Sequence, residues 1–196
     1  NGLSERGGYP VVRKKMTQWS MRISAYADRL LSGLGNIDWS DAIKESQRNW
    51  IGKSVGALVT FNIKGHDTSI EVFTTRPDTI FGVSFMTLAP EHPLVEIITI
   101  ESQKAAVAAY VLATSRRSER ERMADVKMIT GVFTGAYVEH PFTKQLIPVW
   151  IGDYVLSGYG TGAVMAVPCG DQRDYDFAKH FKIPIPNIFK NVDISE

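Results

Sequence analysis

The sequence predicts an α+β fold: a mainly β, barrel-like domain decorated with helices and preceded by an N-terminal helical appendage. Three observations carry this. Six runs of apolar and β-branched residues, separated by glycine, proline and Asn/Asp turns, follow one another after Gly52. One stretch rich in helix formers interrupts them between the third and fourth runs. Ahead of all six, apolar residues recur at helical spacing.

The first fifteen residues, NGLSERGGYPVVRKK, have neither helical nor strand period and read as an irregular arm or linker. From Met16 the pattern changes: Met16, Trp19, Ile23, Tyr26, Leu30 and Leu34 share one stripe of a predicted helix, and Gly33 and Gly35 mark its end. A second helix is predicted from about Trp39 to Trp50, with Asp38 or Ser40 placed to accept its first N–H groups and Gly52 closing it. The predicted strands are VGALVTFNI, SIEVFTT, GVSFMTLA, GVFTGAYVE, IPVWIGDYVL and GTGAVMAVP, and six of them suggest a barrel. The helical insertion covers residues 92–123, and a last helix begins near Gly170 and Asp171.

With 196 residues and 44% apolar content, the chain can bury a sizeable core. Twenty-two basic residues offset twenty-one acidic ones to a net charge of +1, so any contact with nucleic acid has to be local. A lone cysteine, Cys169, excludes an internal disulfide, and four scattered histidines without a CxxC pair argue against structural zinc. His66, His92, His140 and His180 read as surface or packing residues. A reducing cytoplasm is the expected compartment. The sequence shows no signal peptide and no apolar run of about 20 residues, and it reads as an excised, soluble fragment, with no membrane partner and a monomer as default.

Two segments can carry chemistry. TTRPDT, Thr74 to Thr79, sits where a strand ends, and Pro77 holds Arg76 extended. Its hydroxyls either cap a turn, or they form a polar pocket with backbone amides that orients an ester and an attacking water. In Gly158 to Ala178 a glycine-rich turn leads into a buried strand and directly into a helix start. Asp171 and Asp174 then share one face of the first helical turn, where the macrodipole favours anions. For Asp171 capping is the preferred reading, whereas Asp174 lies deeper and suits a clamp on an ammonium group. The arginines from Arg116 to Arg122 alternate with Glu119 and Glu121; a solvated helix face is favoured over a phosphate grip. GYGTG lacks the lysine of a nucleotide-binding loop.

Taken together, TTRPDTIFG, APEHPLV, SERERM, the IPVW strand, YGTGAVMAVP and DQRDYDFA resemble, in order, the editing insertion of leucyl-tRNA synthetases of bacterial type. WSMRISAYADRLL through QRNWIGKS is similar to the stretch that leads into that insertion, so the likeness covers most of residues 16–185. Valyl enzymes tend to show TTRPET and isoleucyl enzymes a TTTPW-like version. The resemblance implies that residues 1–54 are an arm and linker from the synthetase body, 55–185 the editing domain and 186–196 a return linker. It also implies hydrolysis of norvalyl-, isoleucyl- or methionyl-tRNA(Leu), with the tRNA 3′ end and the rest of the synthetase in cis as partners. One methylene is worth only about 1 to 3 kcal/mol to a binding site, the limit for which synthetase editing is itself the standard illustration.

By resemblance, Asp174 holds the α-ammonium, Thr79 keeps leucine out, and Thr74, Thr75 and Arg76 surround the terminal adenosine and the ester. Asp174, Thr74 and Thr75 form the expected catalytic set. Tyr159, Met165 and Val167 match pocket walls, with barrel core as the alternative, and Asp78, Asp171 and Arg173 join Thr79 and Arg76 as substrate-binding positions. Gly170 departs from the histidine that leucyl enzymes commonly carry there, which leaves water activation to positioning. No metal is expected, since the arm lacks zinc-module cysteines. No cofactor is expected for editing; the ATP and Mg of a parent synthetase belong to a site whose signatures this sequence lacks. The rivals are a non-hydrolytic module binding the tRNA 3′ end and the editing domain of a valyl or isoleucyl enzyme.

Overall fold

The computed structural model describes residues 3–11, 16–124, 128–158 and 160–190, with 123 and 124 as backbone alone. It has two compact units, Val12–Val55 on one hand and Asn1–Val11 with Gly56–Glu196 on the other.

In the smaller unit a 3-10 turn, Ile23–Tyr26, runs into α1 (Ala27–Gly33), followed by a second 3-10 turn (Leu34–Asn36) and α2 (Asp41–Ile51). The helix predicted from Met16 starts seven residues late. Its stripe finds little to pack on, since Trp19, Ile23 and Leu30 stay exposed and Leu34 is the member of the stripe that is buried. A helix this short owes its stability to such packing, so the first turns are not formed. The second helix stands as predicted, with Ser40 at its N-cap position and Gly52 in the left-handed conformation (φ 63°) at its end. Ser40 contributes no side-chain cap bond.

The larger unit contains all six predicted strands: β1 (Ala57–Ile63), β2 (Ser69–Thr74), β3 (Phe85–Leu88), β4 (Val132–Glu139), β5 (Leu146–Ile151) and β6 (Ala163–Ala166). They form one sheet in the order β2-β1-β4-β5-β3-β6, antiparallel except between β3 and β5. The terminal strands β2 and β6 approach each other, so the sheet curls into a nearly closed barrel, as the strand count suggested. The interior holds Phe61, Ile70, Val72, Met86, Leu88, Val138 and Val149.

The insertion forms α3 (Leu94–Ile98), α4 (Lys104–Ser115) and α5 (Glu119–Ala124). The last helix, α6 (Gln172–Phe181), lies against the outer face of β3, where Phe85 stacks on Phe177 at 4.9 Å between ring centres. Every residue of β3 is therefore buried, with Met86 and Leu88 in the barrel and Phe85 under α6. The fifth predicted run is too long: β5 ends at Ile151, and residues 152–156 turn away because side chains from the insertion hold their backbone groups.

Candidate active site

The site grows from the junction of β6 and α6. The chain leaves β6 at Val167 and tightens through Gly170 and Asp171, whose N–H groups both bond the Val167 carbonyl, at 2.9 and 3.1 Å. Asp171 then starts α6: its Oδ1 accepts from the N–H groups of Arg173 (2.9 Å) and Asp174 (3.0 Å). This is the capping role, and it orients the first turn.

Asp174, one turn in, is buried at 6% exposure, and its Oδ2 accepts the Val167 N–H at 2.8 Å. Burial pushes its pKa up to about 7; the Val167 N–H and the charge of Arg173 oppose this, and the charge of Asp171 adds to it. The adjoining wall is Tyr154, whose hydroxyl donates to Thr87 Oγ1 (2.9 Å) and whose ring lies 5.7 Å from the Arg173 guanidinium. Burial foremost, then the negative charge of Asp174, raises the Tyr154 pKa and keeps the phenol neutral.

Asp174, Asp171, Arg173, Tyr154, Phe73 and Thr161 line an open cleft of about 910 Å³. Arg122 and Asp153 form another wall. Arg122 is 5% exposed and donates to the carbonyls of Asp153 and Val155 (both 2.7 Å) and to Glu91 Oε1 (2.6 Å). Arg117 pairs with Asp153 Oδ2 at 2.6 Å, and the Asp153 N–H donates to the Tyr110 hydroxyl at 2.9 Å. The favoured reading of this arginine run as a solvated face therefore holds for Arg116 and Arg120, which are exposed, and fails for Arg122. The sequence reading missed Arg122, Asp153 and Tyr154.

The threonine-rich peptide follows β2. Thr74 Oγ1 accepts the Arg76 N–H at 3.0 Å, and the Arg76 carbonyl accepts both the Thr79 N–H (3.2 Å) and its hydroxyl (2.9 Å). A 3-10 helix, Pro77–Gly82, begins here. Arg76 and Asp78 form an exposed pair at 2.8 Å, which screening makes weak, and Thr75 is exposed. Thr79 is buried with its hydroxyl engaged, which leaves its methyl as the unengaged end of the side chain.

Of the expected site residues, the cleft gathers Asp171, Arg173 and Asp174. Met165 and Val167 belong to the barrel core, their alternative reading. Thr74, Thr75, Arg76, Asp78 and Thr79 flank the barrel end beyond Phe73, and Tyr159 lies outside the described residues. Val167 joins the two halves. Its N–H holds Asp174, and its Cγ1 would stand 3.0 Å from a Cβ at Gly82, so the 3-10 helix can approach this closely because residue 82 is glycine. At Gly170 a Cβ would meet Phe189 at 3.5 Å, an ordinary contact, so packing does not demand glycine there.

Two of the histidines read as surface or packing residues also hold these loops. His92 Nδ1 accepts the Leu94 N–H at 3.2 Å while a backbone bond ties it to Thr161, and burial lowers its pKa. His140 bonds the Ile80 carbonyl. Among the described residues no cluster of His, Cys, Asp and Glu could hold a metal ion, and no helix is long and apolar enough to cross a membrane.

The family model described as leucyl-tRNA synthetase, editing domain, matches residues 48–196. The leucine–tRNA ligases of Flavobacterium johnsoniae and Christiangramia forsetii are 77% and 74% identical over the whole of this chain, which spans 21% and 20% of their lengths. The crystal structure of a LeuRS–tRNA–LeuAMS ternary complex from Agrobacterium radiobacter superimposes with a TM-score of 0.79 at 36% identity, covering 98% of this chain and 23% of that one. A buried carboxylate at a strand-to-helix junction, a threonine-rich peptide at the start of a 3-10 helix that packs on the same Val167, and these matches lead to one conclusion: the chain belongs to the leucyl-tRNA synthetase editing-domain family.

Proposed function

We propose that this chain hydrolyses the ester joining a wrong amino acid, such as norvaline, isoleucine or methionine, to the 3′ end of tRNA(Leu), as the second sieve of a leucine–tRNA ligase. The observation that carries this is Asp174, a buried carboxylate fixed on the Val167 N–H and lining an open cleft. A carboxylate in that setting attracts an ammonium strongly, because little water competes for either charge. Thr74 and Thr75 belong to the peptide that orients the ester and its water, with Arg76 and Asp78 beside the terminal adenosine. The ester needs no metal or organic cofactor here: its carbonyl is activated by the neighbouring ammonium, and positioning supplies the rest. The enzyme acts in the cytoplasm as a monomer, with the synthetase body in cis.

The test is to charge tRNA(Leu) with each amino acid, and tRNA(Val) and tRNA(Ile) with theirs, and to follow ester loss with the full-length synthetase. Loss of norvalyl and isoleucyl esters from tRNA(Leu), with leucyl-tRNA(Leu) spared, is the expected result. Binding without ester loss would mark a passive 3′-end module, and preference for tRNA(Val) or tRNA(Ile) would move the chain to another branch.

Selection rests on Thr79, whose methyl occupies the space that a leucine γ-branch needs. Thr79→Ala is expected to raise leucyl-tRNA(Leu) hydrolysis about 10- to 100-fold, the span that one methylene commands. If the variant still spares that ester, exclusion lies elsewhere.

The pH dependence follows from Asp174. Its neutral form cannot clamp an ammonium, so single-turnover deacylation should rise with pH through an inflection near or somewhat below the folded value of about 7, since bound ammonium favours the anion. The sign for stability is opposite. A folded pKa above the model value of 3.8 means that the fold binds the proton more tightly than the unfolded chain, so this stabilisation is full below 3.8 and is lost as pH rises through about 7. A profile from about 5.5 to 8.5 on the wild type and on His→Ala variants at 66, 92, 140 and 180 checks this. An inflection that vanishes in one of those variants would assign it to histidine.

A further inference from the structure

We propose that His140 is a positioning residue for amino-acid selection: by holding the main chain at Ile80 it sets where the Thr79 side chain stands. The inference rests on the reading of Thr79 as the group that excludes leucine. His140 follows β4, in the turn that leads to β5, and is 3% exposed. Its Nδ1 faces two donors, the N–H groups of Phe142 and Thr143, both at 3.1 Å. That nitrogen therefore carries no proton, and Nε2 carries it and donates to the Ile80 carbonyl at 3.0 Å. The ring also stacks on Phe81, 5.7 Å between centres at 26°, and meets Phe61 edge-on.

The two nitrogens thus have separate duties. Nδ1 closes the turn in which His140 itself sits, a local task. Nε2 reaches across 60 residues of sequence to the carbonyl of Ile80, the residue directly after Thr79. Thr79 is held on its other side by the Arg76 carbonyl, which accepts its N–H and its hydroxyl. The two anchors bracket residues 77–79 at the start of the six-residue 3-10 helix, and the hydrogen-bond geometry of such a helix is poorer than that of an α-helix, so its own bonds hold the Thr79 methyl less firmly. Beside the helix's own bond from the Val83 N–H to the Ile80 carbonyl (3.2 Å) and the contact of Gly82 with Val167, the imidazole adds a further anchor, through one hydrogen bond to residue 80 and one stacked ring at residue 81. A selection that depends on a single methyl gains from such holding, because a misplacement of about 1 Å at a reacting site can change a rate about a hundredfold.

The division of duties gives a clean pair of substitutions. In His140→Asn the amide oxygen takes the place of Nδ1 and keeps the turn, but nothing reaches Ile80. In His140→Gln the amide nitrogen takes the place of Nε2 and keeps the bond to Ile80. The experiment measures single-turnover hydrolysis of leucyl- and isoleucyl-tRNA(Leu) by the full-length synthetase carrying each substitution, with Thr79→Ala alongside and thermal melting as the folding control. His140→Asn is expected to raise leucyl-tRNA hydrolysis at least tenfold while isoleucyl-tRNA stays within threefold of wild type. His140→Gln should spare leucyl-tRNA. A merely structural histidine would slow both esters together and would not create a new activity, so that outcome overturns the proposal. Equal loss of discrimination in Asn and Gln variants also overturns it, since the bond to Ile80 would then not be the carrier. If His140→Asn spares leucyl-tRNA while Thr79→Ala hydrolyses it, the clamp fails and the reading of Thr79 stands. If Thr79→Ala itself spares leucyl-tRNA, that reading falls and the clamp has nothing to position.

Discussion

Asp174→Asn should slow deacylation of isoleucyl-tRNA(Leu) by roughly ten- to a hundredfold while leaving the fold intact. Asparagine keeps an oxygen for the Val167 N–H, so the strand-to-helix junction retains its bond. What is lost is the charge. A hydrogen bond to a charged partner is worth about 1.5 to 3 kcal/mol, and each 1.36 kcal/mol is about tenfold in rate. Asp174→Ala confounds this by orphaning the Val167 N–H, a buried donor whose loss of a partner costs about 1 to 3 kcal/mol in stability. Single-turnover rates on the asparagine variant isolate the electrostatic part. A rate within threefold of wild type would remove Asp174 from the mechanism.

Arg122→Ala should destabilise the larger unit by about 3 to 5 kcal/mol, the range for removing one partner of a buried ion pair. Its side chain is 1% exposed against Glu91, and its guanidinium bonds two carbonyls of the 153–155 wall. Without it those buried carbonyls each lose a partner, and the wall of the cleft loses its tie to α5. Urea unfolding measures the effect, with exposed Arg116→Ala expected within about 0.5 kcal/mol of wild type. Equal midpoints for the two variants would show that the Arg122 network adds nothing.

The six strands were legible because their apolar runs are local signals, and Asp171 because a cap is read from four consecutive residues. The Met16 helix misled since periodicity reports what a stripe would do if covered, and in its own unit it is largely uncovered. Arg122 was hidden for a different reason. SRRSERERM looks solvated when read alone, and the carbonyls that draw one arginine inward lie 31 and 33 residues downstream. His140 has its partner 60 residues back. The motifs around the site were recognisable, but the side chains that hold them act over distances that no local pattern encodes. Asp174 was legible as a site candidate, though its raised pKa is a property of burial that sequence does not display.

Under the proposed function, Val167 connects recognition of charge with recognition of shape. Its amide fixes the carboxylate and its side chain abuts the helix that presents Thr79, so a displacement of this one residue by a few tenths of an ångström moves both. Affinity and fidelity would then not be independent dials in this fold. On the proposed function, substitutions in the barrel core that shift Val167 would weaken the grip on the ammonium and blur the choice among side chains together.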